Sequence, residues 1–457
     1  EISACLVGSE MCIRDSKYGA EKGASSFGGF ITKDQELTFY MPDNLGSEKA
    51  EAGIDSLSGA VRYVTSEKGS GWGVLGTHRQ GDDYHNSMFS VDGIWNIGLD
   101  DKMRYQVAYS DTQYPQEVLD DLCDTDDCIP LEDTNCQLGT CDTNAYVLRA
   151  NQKKSMKDYS LRVDYRHDSP DSLYWVKYFD VAPDFRADLG YVRRTDFRML
   201  NSAYGRNWFF RFLERDEGPS RGRLYFSTNQ IEAHSSGDKI EETYAIWSEF
   251  RGSYQSVLRL GFNRKNRVVN RYNQATLDID GNAPMLDEQY WQWYFETSPN
   301  TMWTFNLDGR TGDIADVDNN RVGDMLEVKP RIRLTLDKWF INFKHTYRSL
   351  DIDAGNVFTE NYFTAQVYYR PDEEQTFRLA YLDDRVNRDN DLYLADELNE
   401  EIEDQFDFTY IYKPIDKKWK VLSGVKITRE EDSEINDNFT AERQFYLKFV
   451  YSYDMKF

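Results

Sequence analysis

Acid–base chemistry in this chain would fall to five histidines, His78, His85, His167, His234 and His345. None stands in a nucleophile–base pattern. The G-x-S-x-G elbow, the H-E-x-x-H helix and the phosphate-cradling glycine loop are all missing. Paired carboxylates abound, but acid-rich segments generate them by chance, so no glycosidase pair stands out. No catalytic residue is assigned, and an enzyme is not favoured. Cys123, Cys128, Cys136 and Cys141 form two C-x-x-x-x-C pairs, at the wide end of zinc-ligand spacing. One or two disulfides in an oxidising compartment is the better reading, with the pairing open. Asp278 to Asn282 and Asp316 to Asn320 resemble pieces of calcium loops but lack the twelve-position pattern with its closing Glu. Ordinary turns account for them more simply. No cofactor is expected; loop-bound calcium is the one candidate.

A second group of polar residues is more orderly. Arg162, Arg166, Arg259, Lys329, Arg331, Arg333, Lys344, Arg348, Arg378 and Lys448 each alternate with apolar neighbours. So do Arg62, Arg104, Lys420 and Lys426, whereas the acids in the same phase are chiefly Asp164, Glu327, Asp407 and Asp454. If the apolar phase faces lipid, these cations line a polar interior, and a basic wall favours anionic solutes where water fills it. The competing expectation is that they pair with a plug, or with one another, in a closed barrel.

The elements that must position them are β-strands. Phe445, Leu447, Phe449, Tyr451, Tyr453, Met455 and Phe457 occupy every second place up to the chain end. A period of two makes one strand face apolar and the other wet. The stretch exceeds the roughly 9–11 residues that a tilted strand needs to cross a bilayer. Its last residues, Tyr453, Met455 and Phe457, have the form of an outer-membrane assembly signal, which implies the barrel-assembly machinery as a partner.

The same grammar recurs from about Leu57: alternating strand, short turn, alternating strand, long polar loop. Tight turns are expected at Asp337-Lys338 and Pro371-Asp372, and long connectors near 112–156, 265–287, 310–324, 384–403 and 429–438. Short turns at one end and long loops at the other mark transmembrane barrels. The expected fold is all-β: an antiparallel transmembrane β-barrel of about 18 strands (16–20), with short periplasmic turns and long extracellular loops.

Composition agrees. The mean hydropathy of -0.71 suits a chain in which only alternate strand residues meet lipid. Aromatic residues make up 15% of the chain, as interfacial girdles would require. A formal charge of -25 repels phosphate backbones, so nucleic acid is no partner. Acids crowd into the connectors, for example Asp124 to Asp127 and Glu400 to Asp404. Such loops suit a cation-bridged lipopolysaccharide layer above outer-membrane lipid.

Residues 1–15 (EISACLVGSEMCIRD) have neither a starting Met nor strand alternation, and resemble a translated adapter tail. They are set aside as a non-native leader, with Cys5 and Cys12, and the true N-terminus is expected to be missing. Residues 16–56 are expected to form a first strand or a plug, and 57–457 the barrel.

Two segments resemble a known family. One is Ala182-Pro183-Asp184-Phe185 continuing through Leu189-Gly190-Tyr191-Val192-Arg193-Arg194-Thr195-Asp196, where the family often has proline at the place of Arg193. The other runs from Val61 to Tyr63, through Gly71-Trp72-Gly73-Val74-Leu75-Gly76-Thr77, to Ser90-Val91-Asp92-Gly93. With the closing strand, they resemble an uncharacterised outer-membrane β-barrel family of Gram-negative bacteria. It is a domain of unknown function found after a family-9-like carbohydrate-binding module. The resemblance spans roughly 17–457. It implies a bacterial outer-membrane location and a missing upstream module that binds glycans; it supplies no catalytic residues. The expected function is a pore or a solute- or glycan-handling barrel. The alternatives are a plugged surface scaffold and, less favoured, a membrane-embedded hydrolase.

Overall fold

The computed structural model describes residues 25–35, 37–42, 45–122, 155–210, 220–270, 279, 281–394, 400–415, 417, 419–432 and 440–451. In chain order the strands begin with β1 (Ser25–Asp34), β2 (Leu37–Pro42), β3 (Ser47–Ala52), β4 (Ser56–Glu67), β5 (Ser70–Gly81), β6 (Tyr84–Asn96) and β7 (Asp101–Gln113). A short helix α1 (Gln116–Leu122) precedes β8 (Met156–Asp168), β9 (Ser172–Val181), β10 (Phe197–Phe210), β11 (Ser220–Ala233), β12 (Lys239–Gly252), β13 (Ser256–Val268) and β14 (Met285–Thr297). Then come β15 (Trp303–Asp316), β16 (Arg321–Thr335), β17 (Trp339–Ile352), β18 (Gly355–Tyr369), β19 (Gln375–Arg388), β20 (Glu400–Tyr412), β21 (Trp419–Asp432) and β22 (Thr440–Tyr451).

Twenty of these strands form one antiparallel sheet, inside the expected range, and β2 and β3 form a separate hairpin. Two compact units divide the chain. The first comprises Glu1–Asn207, Tyr225–Ala245 and Lys265–Leu286, the second Trp208–Leu224, Ile246–Arg264 and Asp287–Phe457.

In the second unit the alternation becomes a two-faced sheet. Leu326, Ile332, Trp339, Phe343, Leu379 and Phe408 stay 37–43% exposed, while Glu327 and Thr409 are 3% exposed and Thr346 4%. Large apolar side chains left open beside buried polar ones invert the order of a soluble sheet, as hydrocarbon solvent requires. The face carrying Glu327 is the inner face. Asp337-Lys338 closes β16 onto β17, with Leu336 N–H donating to the Trp339 carbonyl at 2.7 Å. Asp372 Oδ1 accepts from the Glu374 and Gln375 amides and so caps the turn at Pro371. At the other strand ends, Ile314, Met325, Leu350 and Val357 form an apolar core under Leu392 and Tyr393 of the β19–β20 connector.

The expected connector at 310–324 is corrected. β15 and β16 run through it in register, Asp313 facing Asp324 and Asp316 facing Arg321, and only 317–320 turn. Backbone ladder bonds form whatever the side chain, so acids are tolerated in strand ends beyond the lipid belt. For the same reason the connectors after β13, β19 and β21 are shorter than expected: strand is assigned up to Val268, Arg388 and Asp432.

In the first unit, β1 pairs with β4 from Ser25–Thr65 to Asp34–Ser56. The two-residue turn between β4 and β5, Lys68-Gly69, has both φ positive (52° and 81°), as a tight hairpin demands. The β2–β3 hairpin buries Phe39 (2% exposed) and Met41 (0%). Phe39 meets the rings of Tyr84 and Tyr114 edge-on at 4.9 and 5.7 Å.

Candidate functional site

Strand register fixes which inner-face charges meet. Across β15 to β18, Arg310 faces Glu327, Glu327 faces Arg348, and Arg348 faces Glu360. The signs alternate along that row and the side chains close on one another. Glu327 accepts Arg310 Nε at 3.1 Å and Arg348 Nη2 at 3.1 Å, with Lys329 Nζ at 2.9 Å. Arg348 Nη1 also reaches Glu360 at 2.7 Å. A second node forms around Glu249, held by Arg251 Nε (2.8 Å), Arg259 Nε (2.7 Å) and Arg221 Nη2 (2.8 Å). In the first unit Arg162 pairs with Asp164 at 3.3 Å, Arg62 with Asp92 at 2.8 Å, and Arg166 with Asp168 at 2.9 Å. Much of the expected basic wall is thus pinned by carboxylates.

Four of the expected residues are not. Among the described residues Arg331, Arg333, Lys344 and Arg378 make no ion pair. Arg331 faces Lys344 directly across β16–β17, Arg333 faces Asn342, and Arg378 faces Tyr368 across β18–β19. Aromatic rings hold two of them: the Arg333 guanidinium lies 5.9 Å from the Phe340 ring centre and Lys344 Nζ 5.4 Å from that of Tyr362. Lys448 lies opposite Leu422 on β22 and is exposed.

The segment carrying the family resemblance, 182–196, joins β9 to β10 and packs on the first-unit face that carries Asn86 and Ser110. Arg186 N–H donates to Ser110 Oγ at 2.9 Å, and Asp188 N–H to Asn86 Oδ1 at 3.2 Å. Tyr84 and Tyr114 hydroxyls both donate to the Asp188 carboxylate, at 2.8 and 2.9 Å. Arg186, 1% exposed, donates through Nη1 to the Pro183 and Phe185 carbonyls, both at 2.9 Å. Thr195 Oγ1 donates to the Pro42 carbonyl at 3.0 Å and so ties the segment to the β2–β3 hairpin. Burial pushes the Asp188 carboxyl up, against the two tyrosine hydrogen bonds and the nearby Arg79 and Arg186. Asn86, Ser110 and Thr112 beneath it are 0% exposed.

Sequence reasoning did not single out Glu249, Arg221, Arg251, Arg310, Glu360 or Asp188. Glu360 lies on the inner phase just before the alternation legible from Phe363, whereas Arg310 opens the stretch expected to be a connector. Their partnership needs register, which periodicity alone does not supply. The reading of few inward acids is revised accordingly: Asp92, Glu249, Glu360, Asp384 and Glu403 share the inner phase. In the calcium-like stretch after β15, the Asp316 carboxylate is occupied by Asn319 Nδ2 (2.8 and 2.9 Å) and Arg321 Nε (3.0 Å), as in a turn. Cys123, Cys128, Cys136, Cys141, Tyr453, Met455 and Phe457 lie outside the described residues.

No family model and no curated protein matches this chain. Solved structures do. The siderophore receptor PirA from Pseudomonas aeruginosa aligns with a TM-score of 0.51 at 8% identity, over 95% of this chain and 74% of that one. PirA from Acinetobacter baumannii aligns at 0.50 and 9% identity, over 94% and 73%. At such identity the likeness speaks for fold alone. The fold is that of an antiparallel outer-membrane β-barrel.

Proposed function

We propose that this outer-membrane barrel handles anionic solutes, which its inner wall selects by fixed positive charge. The observation that carries the reading is the cluster Arg331, Arg333 and Lys344 on β16 and β17, with Arg378 farther along the wall on β19, all without carboxylate partners among the described residues. Rows of basic side chains on a wet wall lower the energy of a passing anion and raise that of a cation. The test is planar-bilayer recording of refolded protein under a tenfold KCl gradient. The reversal potential is expected to favour chloride. The triple variant R331E/R333E/K344E is expected to move it to the cation side. Absence of conductance steps from correctly folded protein would reject passage.

A second reading, a plugged surface-binding scaffold, has its own support. Connector 182–196, tied to the β2–β3 hairpin by Thr195, bonds to Asn86 and Ser110, which are 0% exposed. This reading expects ligand or cation binding by the acidic connectors without ion flow, and loss of that binding when the connectors are deleted.

A further inference from the structure

Three like charges crowded together, with a fourth on the same wall, repel unless something answers them. Neighbouring strands lie about 4.8 Å apart and alternate residues on one strand about 6.7 Å, so Arg331, Arg333 and Lys344 fall within about 8 Å of one another and Arg378 lies roughly 16–20 Å along the same wall. On the same unit's wall, Glu249 and Glu327 each gather three cations. The patch at Arg331, Arg333, Lys344 and Arg378 has no such carboxylate among the described residues. Two of its cations, Arg333 and Lys344, are positioned instead by the rings of Phe340 and Tyr362, with Phe340 braced edge-on by Tyr368 at 5.7 Å. A ring attracts a cation without cancelling its charge, so the far side of each head group keeps its power to bind an anion.

Unused hydrogen-bonding capacity coincides with the charge. Arg333 Nε and Arg378 Nε are buried without an acceptor among the described residues, and Asn342 Oδ1, on the residue facing Arg333, has no donor among them. Buried polar atoms left unpaired cost free energy that a ligand recovers. Two guanidinium donors call for oxyanions, which planar guanidinium engages with two parallel hydrogen bonds. An idle amide oxygen calls for a donor, and on a small organic anion that donor is a hydroxyl.

We propose that the inner face of β16–β19 is a binding site for a small organic oxyanion carrying two or more negative charges and at least one hydroxyl group. The site rests on the anion-handling reading for its ligand class, but not on ion flow. Calorimetric titration of the refolded barrel in detergent tests it, with citrate as probe. Tricarballylate, the same tricarboxylate without the hydroxyl, and acetate are the comparisons. Citrate is expected to bind, tricarballylate several-fold more weakly, and acetate not measurably. R333Q/R378Q is expected to weaken citrate at least tenfold, while R385Q, whose guanidinium pairs with Asp383 at 2.9 Å, leaves it unchanged. R331Q/K344Q substitutes if the first pair fails to refold, as judged by heat-modifiable electrophoretic mobility. Citrate binding unchanged in a folded double variant, or equal affinity for citrate and tricarballylate, overturns the proposal. A barrel that conducts chloride but ignores citrate loses this site and keeps anion passage; one that binds citrate without conducting does the reverse.

Discussion

Asp188 shows how one residue can tie a connector to a wall. Its carboxylate receives two phenolic hydroxyls from different strand ends, and its own amide binds Asn86. Burial raises its pKa above the ordinary carboxylate value, so the folded state holds the proton more tightly than the unfolded chain. The stabilisation is complete below the unfolded pKa and is lost as pH rises through the higher folded value. Connector 182–196 is therefore expected to be better protected in mild acid than at neutral pH, and Asp188→Asn to flatten that dependence. Amide hydrogen exchange at 182–196 measures both. Glu327 makes the opposite case, a buried acid ringed by cations. Glu327→Gln leaves Arg310, Lys329 and Arg348 without their shared partner. The expected loss is about 2–3 kcal/mol, less than for a fully buried pair because the cations are about a third exposed. The urea midpoint of the barrel in detergent reads it.

At the scale of strands, several rings lie over glycines on the neighbouring strand. A side chain begun at Gly261 would meet the Trp247 ring at 2.6 Å, and Gly309 and Gly424 are covered by Trp293 and Tyr446. These glycines serve as seats for rings that cross the ladder and fix register. Gly261→Val is expected to unseat Trp247 and cost about 1–3 kcal/mol, the usual range for overpacking. The thermal shift to the unfolded electrophoretic form reports it. Such seats also mark what the sequence could and could not disclose. Phe343 and Lys344 declared their opposite faces by period alone, as did the turn at Asp337-Lys338. The β15–β16 hairpin did not, because Asp313, Asp316 and Asp318 resemble loop residues unless the ladder that holds them is known. The meeting of Arg310, Glu327, Arg348 and Glu360 was hidden for a related reason: it depends on the alignment of four strands, one of which, β15, is expected from sequence to be a connector from Arg310 onward. Asp188 was visible inside the family-like segment, but nothing in its neighbours indicated two tyrosines some 70 and 100 residues away.

For the whole molecule, solvent decides which face each side chain takes. The protein carries a net charge of -25, yet its inner face presents a basic patch without carboxylate partners among the described residues, and its other face presents large apolar side chains. Both arrangements are stable where hydrocarbon bathes the apolar face and water the charged one. The most direct test is spin-label accessibility along β17, from Trp339 to Ile352, with the barrel refolded in lipid vesicles. Single cysteines are placed in turn on a background freed of the native ones. Labels at 341, 343 and 345 are expected to collide freely with oxygen and poorly with a water-soluble nickel chelate, and labels at 342, 344 and 346 to do the reverse. Equal access to the nickel chelate on both phases would contradict a membrane-spanning strand, and with it the account.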